Sequence, residues 1–246
     1  MLILLPPSET KRAGGTGRSL SLEQLRFPAL TDARRALIED VVTLSQDPDA
    51  AIAALKLGPK QHGEVETNRV LWQSPTMPAL DRYTGVLFDA LDPATLGAEA
   101  RSFAGRHLVI HAALLGPIGA LDPIPSYRLS HDSRVPGRPL KRHWRAVVEV
   151  ALGTEPGLVL DLRSEAYVGL GPAPSGSRFL RVLTEGQGGT RRALNHFNKQ
   201  AKGRFTRALL QAGVAFSDVG ELLDWAASAG FQLERQPDTT DLALVV

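Results

Sequence analysis

Residues 179–207 read FLRVLTEGQGGTRRALNHFNKQAKGRFTR. The apolar run at 179–184 fits a buried strand. The glycine-rich turn at 186–189 ends it, and helical periodicity follows. Strand, turn and helix in that order is the repeating unit of an α/β fold. The sequence places Arg191 and Arg192 in the first turn of this helix, with Lys199, Lys202, Arg204 and Arg207 further along. A helix N-terminus carries unpaired N–H groups and partial positive charge, so acidic residues usually occupy it. Cations there call for an anionic partner: a phosphate, a DNA backbone or an acidic substrate.

At about 100° per residue, Leu194, Phe197, Ala201, Phe205 and Ala208 share one face. Arg191, Arg192, Asn195, Asn198, Lys199 and Lys202 share the opposite face, which is expected to be exposed. A solvated surface is the plain reading of such a charge run. Two features point beyond it. The cations oppose the helix dipole, and the GQGG turn allows the close backbone approach of phosphate-cradling loops. No G-x-x-x-x-G-K-[ST] motif is present, so P-loop nucleotide hydrolysis has no support.

The alternation extends outward. Buried strands are expected at 2–5, 107–115 and 158–162, and a strand pair at 231–234 and 242–246. Helices are expected after Thr31 or Asp32, after Asp47-Pro48, from Pro139, and after a Ser217 cap. Residues 8–18 read as a mobile polar loop and 116–125 as a Pro/Gly loop. The expected fold is a single α/β domain over residues 1–246, with a mixed sheet flanked by helices. A length of 246 residues suits that reading.

Net charge is only +2, but it is segregated. Residues 134–148 hold five Lys or Arg and no acid, while 214–241 hold six acids and one base, which implies a basic face. The basic residues Arg138, Lys141, Arg142 and His143 surround the start of the Pro139 helix, a second cationic helix N-terminus. Cysteine is absent, which excludes disulfides and thiolate metal sites. The apolar start is too short for a signal peptide, and no apolar run reaches membrane-spanning length. A cytoplasmic protein with no membrane partner is expected.

Three loops offer chemistry. Ser8, Glu9, Thr10 and Lys11 follow the first strand, and Ser164, Glu165 and Tyr167 follow the strand at 158–162. Loops leaving strand ends are common active-site positions, although a capped turn explains them equally well. Tyr127, Arg128, His131 and Asp132 share a third loop. Glu165 is the candidate general acid or base, with Lys11, Tyr127 and Ser8 assisting. His107, His111 and His131 lack metal-ligand spacing, so neither metal nor cofactor is expected. No G-x-S-x-G elbow occurs.

LILLPPSETK, RYTGVLFDAL, LLGPIGALDPIPSYRL with GRPLKRHW, DLRSEAY and FNKQAKGRFTRAL occur in that order. In this combination the chain resembles the YaaA family of bacterial peroxide-stress proteins. The resemblance implies an unusual single-domain mixed α/β fold. It also implies double-stranded DNA binding through a basic cleft, and a role in limiting iron-driven oxidative damage. Ser8 and Lys11 stand in the family's N-terminal serine and lysine region. Tyr127 and Arg128 match its P-Y-R-L element, with Ser126 in the proline place. Trp144 matches its F-W pair, with His143 in the aromatic place. Ser164, Glu165 and Tyr167 match S-x-E-Y with one residue deleted. Lys199, Lys202, Gly203 and Arg207 match its basic A-K-K-A-R-G helix, with Asn198 in the alanine place and Gln200 for the second lysine. DNA-binding members carry a helix-hairpin-helix element. The nearest candidate here, residues 55–69, lacks a G-x-G hairpin and contains Glu64 and Glu66.

Two functions follow. The first is duplex DNA binding through Arg128, Lys141, Arg142, Arg191, Arg192, Asn198, Lys199, Lys202 and Arg207. The second is an enzyme acting on a small phosphorylated or nucleobase-containing molecule in the same cleft. A deep pocket uniting Glu165 and Lys199 favours the enzyme, and a shallow basic groove favours DNA.

Overall fold

Leu2–Leu5 is apolar at every position because it is the central strand, β1, buried along its whole length. A computed structural model describes residues 1–185, 191–192, 195–237 and 239–246, omitting the side chains of 185, 191–192 and 195–197. In chain order, β1 is followed by α1 (Thr31–Leu44), α2 (Pro48–Leu55), α3 (Glu64–Arg69), β2 (Met77–Pro78), α4 (Ala79–Arg82), α5 (Val86–Leu91) and α6 (Ala98–His107). Then come β3 (Leu108–Ala112), β4 (Gly116–Gly119), β5 (Pro123–Ile124), α7 (Leu140–Gly153), β6 (Val159–Asp161) and α8 (Glu165–Val168). The chain continues through β7 (Arg178–Glu185), β8 (Arg191–Arg192), α9 (Asn195–Ala212), α10 (Val219–Ser228), β9 (Gln232–Arg235) and β10 (Leu242–Val245).

The main sheet runs β4-β3-β1-β6-β7-β10-β9. β1 is parallel to β3 and β6, and β7 is parallel to β6 and β10. β4, β9 and β8 pair antiparallel with β3, β10 and β7. This is the expected α/β domain with a mixed sheet flanked by helices. From β1 the chain moves to β3 on one side, then crosses to β6 and β7 on the other. The carboxyl ends of β1 and β6 therefore flank a topological switch point, where a crevice opens in such sheets.

Several local expectations are corrected. Arg191 and Arg192 are not in a helix. They form β8, with Arg192 opposite Thr184 and Arg191 opposite Glu185. β7 and β8 thus pair as antiparallel neighbours, and a Gly-rich sequence between them is as compatible with a hairpin as with a strand-to-helix connection. Its residues 186–190 lie outside the described residues. Residues 116–125 are not all loop, since β4 pairs with β3 as an edge strand, a position that tolerates Pro117. Gly116 has φ of 65°, and a Cβ there would stand 3.0 Å from the buried Trp144 ring. Asp218, not Ser217, caps α10 by accepting from Gly220 and Glu221 N–H. Asp47 caps α2 as the sequence suggests.

The 8–18 loop is tied down. Arg82, fully buried, donates to the Arg12, Gly14, Pro75 and Ile124 carbonyls. Gly17 N–H donates to the Thr76 carbonyl at 2.9 Å. A polar loop looks mobile in sequence when its anchor is a distant arginine.

Candidate functional site

A cleft of about 980 Å³ opens at the switch point. Its walls are the segment after β1 (Pro6 to Thr10), the segment after β6 (Leu162 to Tyr167), β7 from Phe179 to Leu183, Thr84 with the start of α5, and Asn198, Lys199 and Lys202 on α9. Ser130 and His131 complete it. The sequence-identified candidates Ser8, Ser164, Glu165, Tyr167, Asn198, Lys199 and Lys202 converge here, with Glu9, Thr10 and His131 beside them. Apart from His131 they come from three separate segments, which the parallel order β1-β6-β7 brings side by side.

Lys199 is exposed at the rim, Asn198 is half-buried, and Lys202 is 5% exposed. The helical wheel puts Lys202 on a solvent face, but the face looks into the cleft wall. Its ammonium lies 5.3 Å from the Phe179 ring centroid and donates one long hydrogen bond, 3.4 Å, to the Arg163 carbonyl. Burial disfavours the charged form and brings Lys202 from 10.5 to about 8, with Asp161 and Glu165 opposing and Arg181 assisting.

Beneath this lysine lies a cluster that the sequence reading did not single out. Arg163 is fully buried and grips Asp161 at 2.9 and 2.6 Å. The Arg163 guanidinium also donates to the Gly171 carbonyl and to His111 Nδ1 at 2.7 Å. Burial and Arg163 hold His111 well below the usual histidine range, so it is neutral with its proton on Nε2. The only sequence signal is a charged pair two residues apart at the end of a buried strand. The fixed cluster sets the Arg163 carbonyl that Lys202 meets.

Glu165 does not sit as a buried acid. Its side chain is largely exposed and pairs with Arg181 at 3.1 Å, while Arg181 also holds Asp241 at 2.8 Å. Arg181 is a cleft residue the sequence reading missed. Glu9 lines the opposite wall, held by Arg128 at 2.9 Å.

Lys11 and Tyr127 lie behind that wall. The Lys11 ammonium rests 4.1 Å from the Tyr127 ring centroid and donates to the Ser8 and Glu9 carbonyls at 3.1 Å each. Burial first, and Arg128 second, lower Lys11 from 10.5 to about 7. The Tyr83 and Tyr127 hydroxyls share a 2.8 Å hydrogen bond, and burial raises both. Lys11, seated over the Tyr83 and Tyr127 rings, thereby holds the Ser8–Glu9 backbone.

The remaining candidates are elsewhere. Arg128 is 7% exposed; its guanidinium donates to Glu9 at 2.9 Å, and its backbone N–H donates to the Asn68 side-chain oxygen. Arg207 donates to the Leu91 and Asp92 carbonyls and to Thr95, tying α9 to the end of α5. Lys141 and Arg142 line a separate open depression on α7 with Arg145 and Glu149. The side chains of Arg191 and Arg192 lie outside the described residues. In the 55–69 segment, α2 and α3 flank a short turn at Pro59–Gln61, and Arg69 pairs with Glu66 at 2.7 Å. Among the described residues, no group of three or more His, Asp or Glu is placed to hold a metal, and no helix is long and apolar enough to cross a membrane.

The model of the family described as peroxide stress protein YaaA matches residues 1–236. A UPF0246 protein of Corynebacterium glutamicum strain R is 40% identical over 252 residues, covering all of both chains. A UPF0246 protein of Corynebacterium efficiens is 42% identical over 239 residues, 95% of each chain. One from Streptomyces coelicolor is 40% identical over 244 residues, 96% of this chain and 93% of its own.

Proposed function

The chain belongs to the peroxide stress protein YaaA family, and we propose that it acts by binding a nucleotide-sized, phosphate-bearing small molecule in the cleft between β1, β6 and β7. The observation that carries this reading is the meeting of Glu165 and Lys199 in one concave site of about 980 Å³. That volume is typical of a small-molecule site, while a DNA duplex needs a wide surface of exposed cations. Lys199 and Asn198 on α9 would take the phosphate, with the Ser164 and Ser8 hydroxyls as further donors. Phe179 and Tyr167 supply apolar surface for a base or sugar. An exposed, ion-paired Glu165 suits gripping or orienting a ligand better than donating a proton.

A second reading, duplex DNA across the cleft mouth, is favoured by the exposed Lys199 and Arg204 on α9. Arg207, held by Leu91, Asp92 and Thr95, no longer supports it, and Arg128 is paired with the cleft-lining Glu9. Either ligand places the protein in peroxide defence, with limitation of iron-driven damage as the proposed outcome.

Titration with thymidine monophosphate and with a labelled duplex, at several salt concentrations, separates the two. The small-ligand reading expects nucleotide binding that falls at least about tenfold in Lys199→Glu and is unchanged in Arg142→Glu. Duplex binding with a steep salt dependence, and no nucleotide binding, overturns it.

A further inference from the structure

We propose that Lys202 is a nucleophile that forms an imine with the carbonyl carbon of a phosphorylated, open-chain sugar aldehyde held in the cleft. The proposal rests on the small-ligand reading above and names its substrate class. Two geometric facts carry it. Lys202 is only 5% exposed yet lines the cleft, and among the described residues its ammonium donates a long hydrogen bond, 3.4 Å, to the Arg163 carbonyl. Lys199 stands three residues earlier on the same helix, at the rim. On a helix that spacing separates Cβ atoms by about 5–6 Å, which suits a short molecule with phosphate at one end and aldehyde at the other.

Lys11 is the obvious competitor and is less suited. Its ammonium donates to two carbonyls at 3.1 Å and lies on the Tyr127 ring, behind the cleft wall. Among the described residues, the Lys202 ammonium meets the Arg163 carbonyl at a long 3.4 Å and the Phe179 ring at 5.3 Å from its centroid. The charged groups around it are Asp161, Arg181 and Glu165. With the amine titrating near 8, about a quarter of it is neutral at pH 7.5, against about one part in a thousand for an ordinary lysine. Desolvated lysines of this kind are the ones that form Schiff bases.

The step balances without a further reactant. The neutral amine adds its lone pair to the aldehyde carbon, forming the C–N bond. The carbonyl oxygen takes up a proton, and nitrogen gives one up, leaving a carbinolamine. The hydroxyl then takes a proton from solvent and departs as water while the nitrogen lone pair forms the C=N bond of an iminium, and loss of the N–H proton to solvent gives the neutral imine. The phosphate remains on Lys199 and Asn198 throughout.

The test incubates the full chain with 2-deoxyribose 5-phosphate and cyanoborohydride at pH 7.5, and maps the reduced adducts by mass spectrometry. Lys202 is expected to be labelled at least about tenfold faster than the exposed Lys60 and Lys141. The preference should weaken with unphosphorylated 2-deoxyribose. Lys202→Arg should lose the preferred adduct while Lys60 and Lys141 are labelled at the wild-type rate. Labelling of Lys202 no faster than Lys60 and Lys141 overturns the inference. If nucleotide binding persists in that case, only the imine role falls. If the wild-type chain binds no nucleotide either, the cleft reading falls with it.

Discussion

Gly203→Ala tests how α9 is seated, because the cleft depends on that helix. In the middle of an exposed helix, Ala in place of Gly stabilises by about 1 kcal/mol. Here the sign should reverse. Gly203 is where α9 meets α5, and a Cβ would press into the Leu87 carbonyl oxygen and stand 2.9 Å from Ala90 Cβ. Carbon atoms normally approach to about 3.5–4.0 Å, so that second contact is roughly 0.6–1.1 Å too close. The obstacle is backbone, which no rotamer change can move aside. Overpacking of this kind costs about 1–3 kcal/mol, and a net loss in that range lowers the melting temperature of a chain this size by about 2–12 °C. Displacing α9 also moves Asn198, Lys199 and Lys202, so thymidine monophosphate affinity should fall in the folded variant. Calorimetry reads the first effect and titration the second. A Gly203→Ala variant as stable as wild type, or more so, refutes the close-approach argument.

Asp161→Asn leaves the fully buried Arg163 without its counter-charge, and urea unfolding should show a loss of about 3–5 kcal/mol; a loss below about 1 kcal/mol contradicts this. Lys202 is lowered from 10.5 to about 8 in the fold, so between those values the unfolded chain binds more protons. Stability should therefore rise with pH across that window, and the penalty should be complete below about 8. Wild type should gain about 2 kcal/mol on Lys202→Met between pH 7.5 and 9.5. Parallel curves for the two chains would refute that. Arg207→Ala removes contacts to Leu91, Asp92 and Thr95, and should cost about 1–3 kcal/mol while leaving nucleotide affinity unchanged. Lost binding at full stability would return Arg207 to the ligand site.

The central strands were legible because burial on both faces leaves an unbroken apolar run, as in LILL at β1 and LVIHA at β3. Edge and hairpin strands were not. GPIG at β4 and Arg191–Arg192 at β8 take their conformation from a partner strand, and neither carries a hydrophobic pattern of its own. The site was half legible. Ser164, Glu165 and Tyr167 follow a strand end, and their convergence with Lys199 needs only the parallel sheet order. The depth of Lys202 was hidden, because a wheel knows a helix but not the wall against its polar face. The arginines were misleading for the same reason. Arg128, Arg163 and Arg207 look like surface charge in sequence; Arg128 and Arg207 are held inward by distant partners, Glu9 and the end of α5, and Arg163 by Asp161 two residues before it.

Whether the cleft takes a nucleotide can be read from a crystal structure after soaking with 5-bromo-2′-deoxyuridine monophosphate, located by bromine anomalous scattering. The nucleotide should lie in the cleft, with its phosphate on Lys199 and Asn198 and its sugar toward Lys202. A nucleotide bound at Lys141 and Arg142 on α7, with the cleft empty, would contradict this.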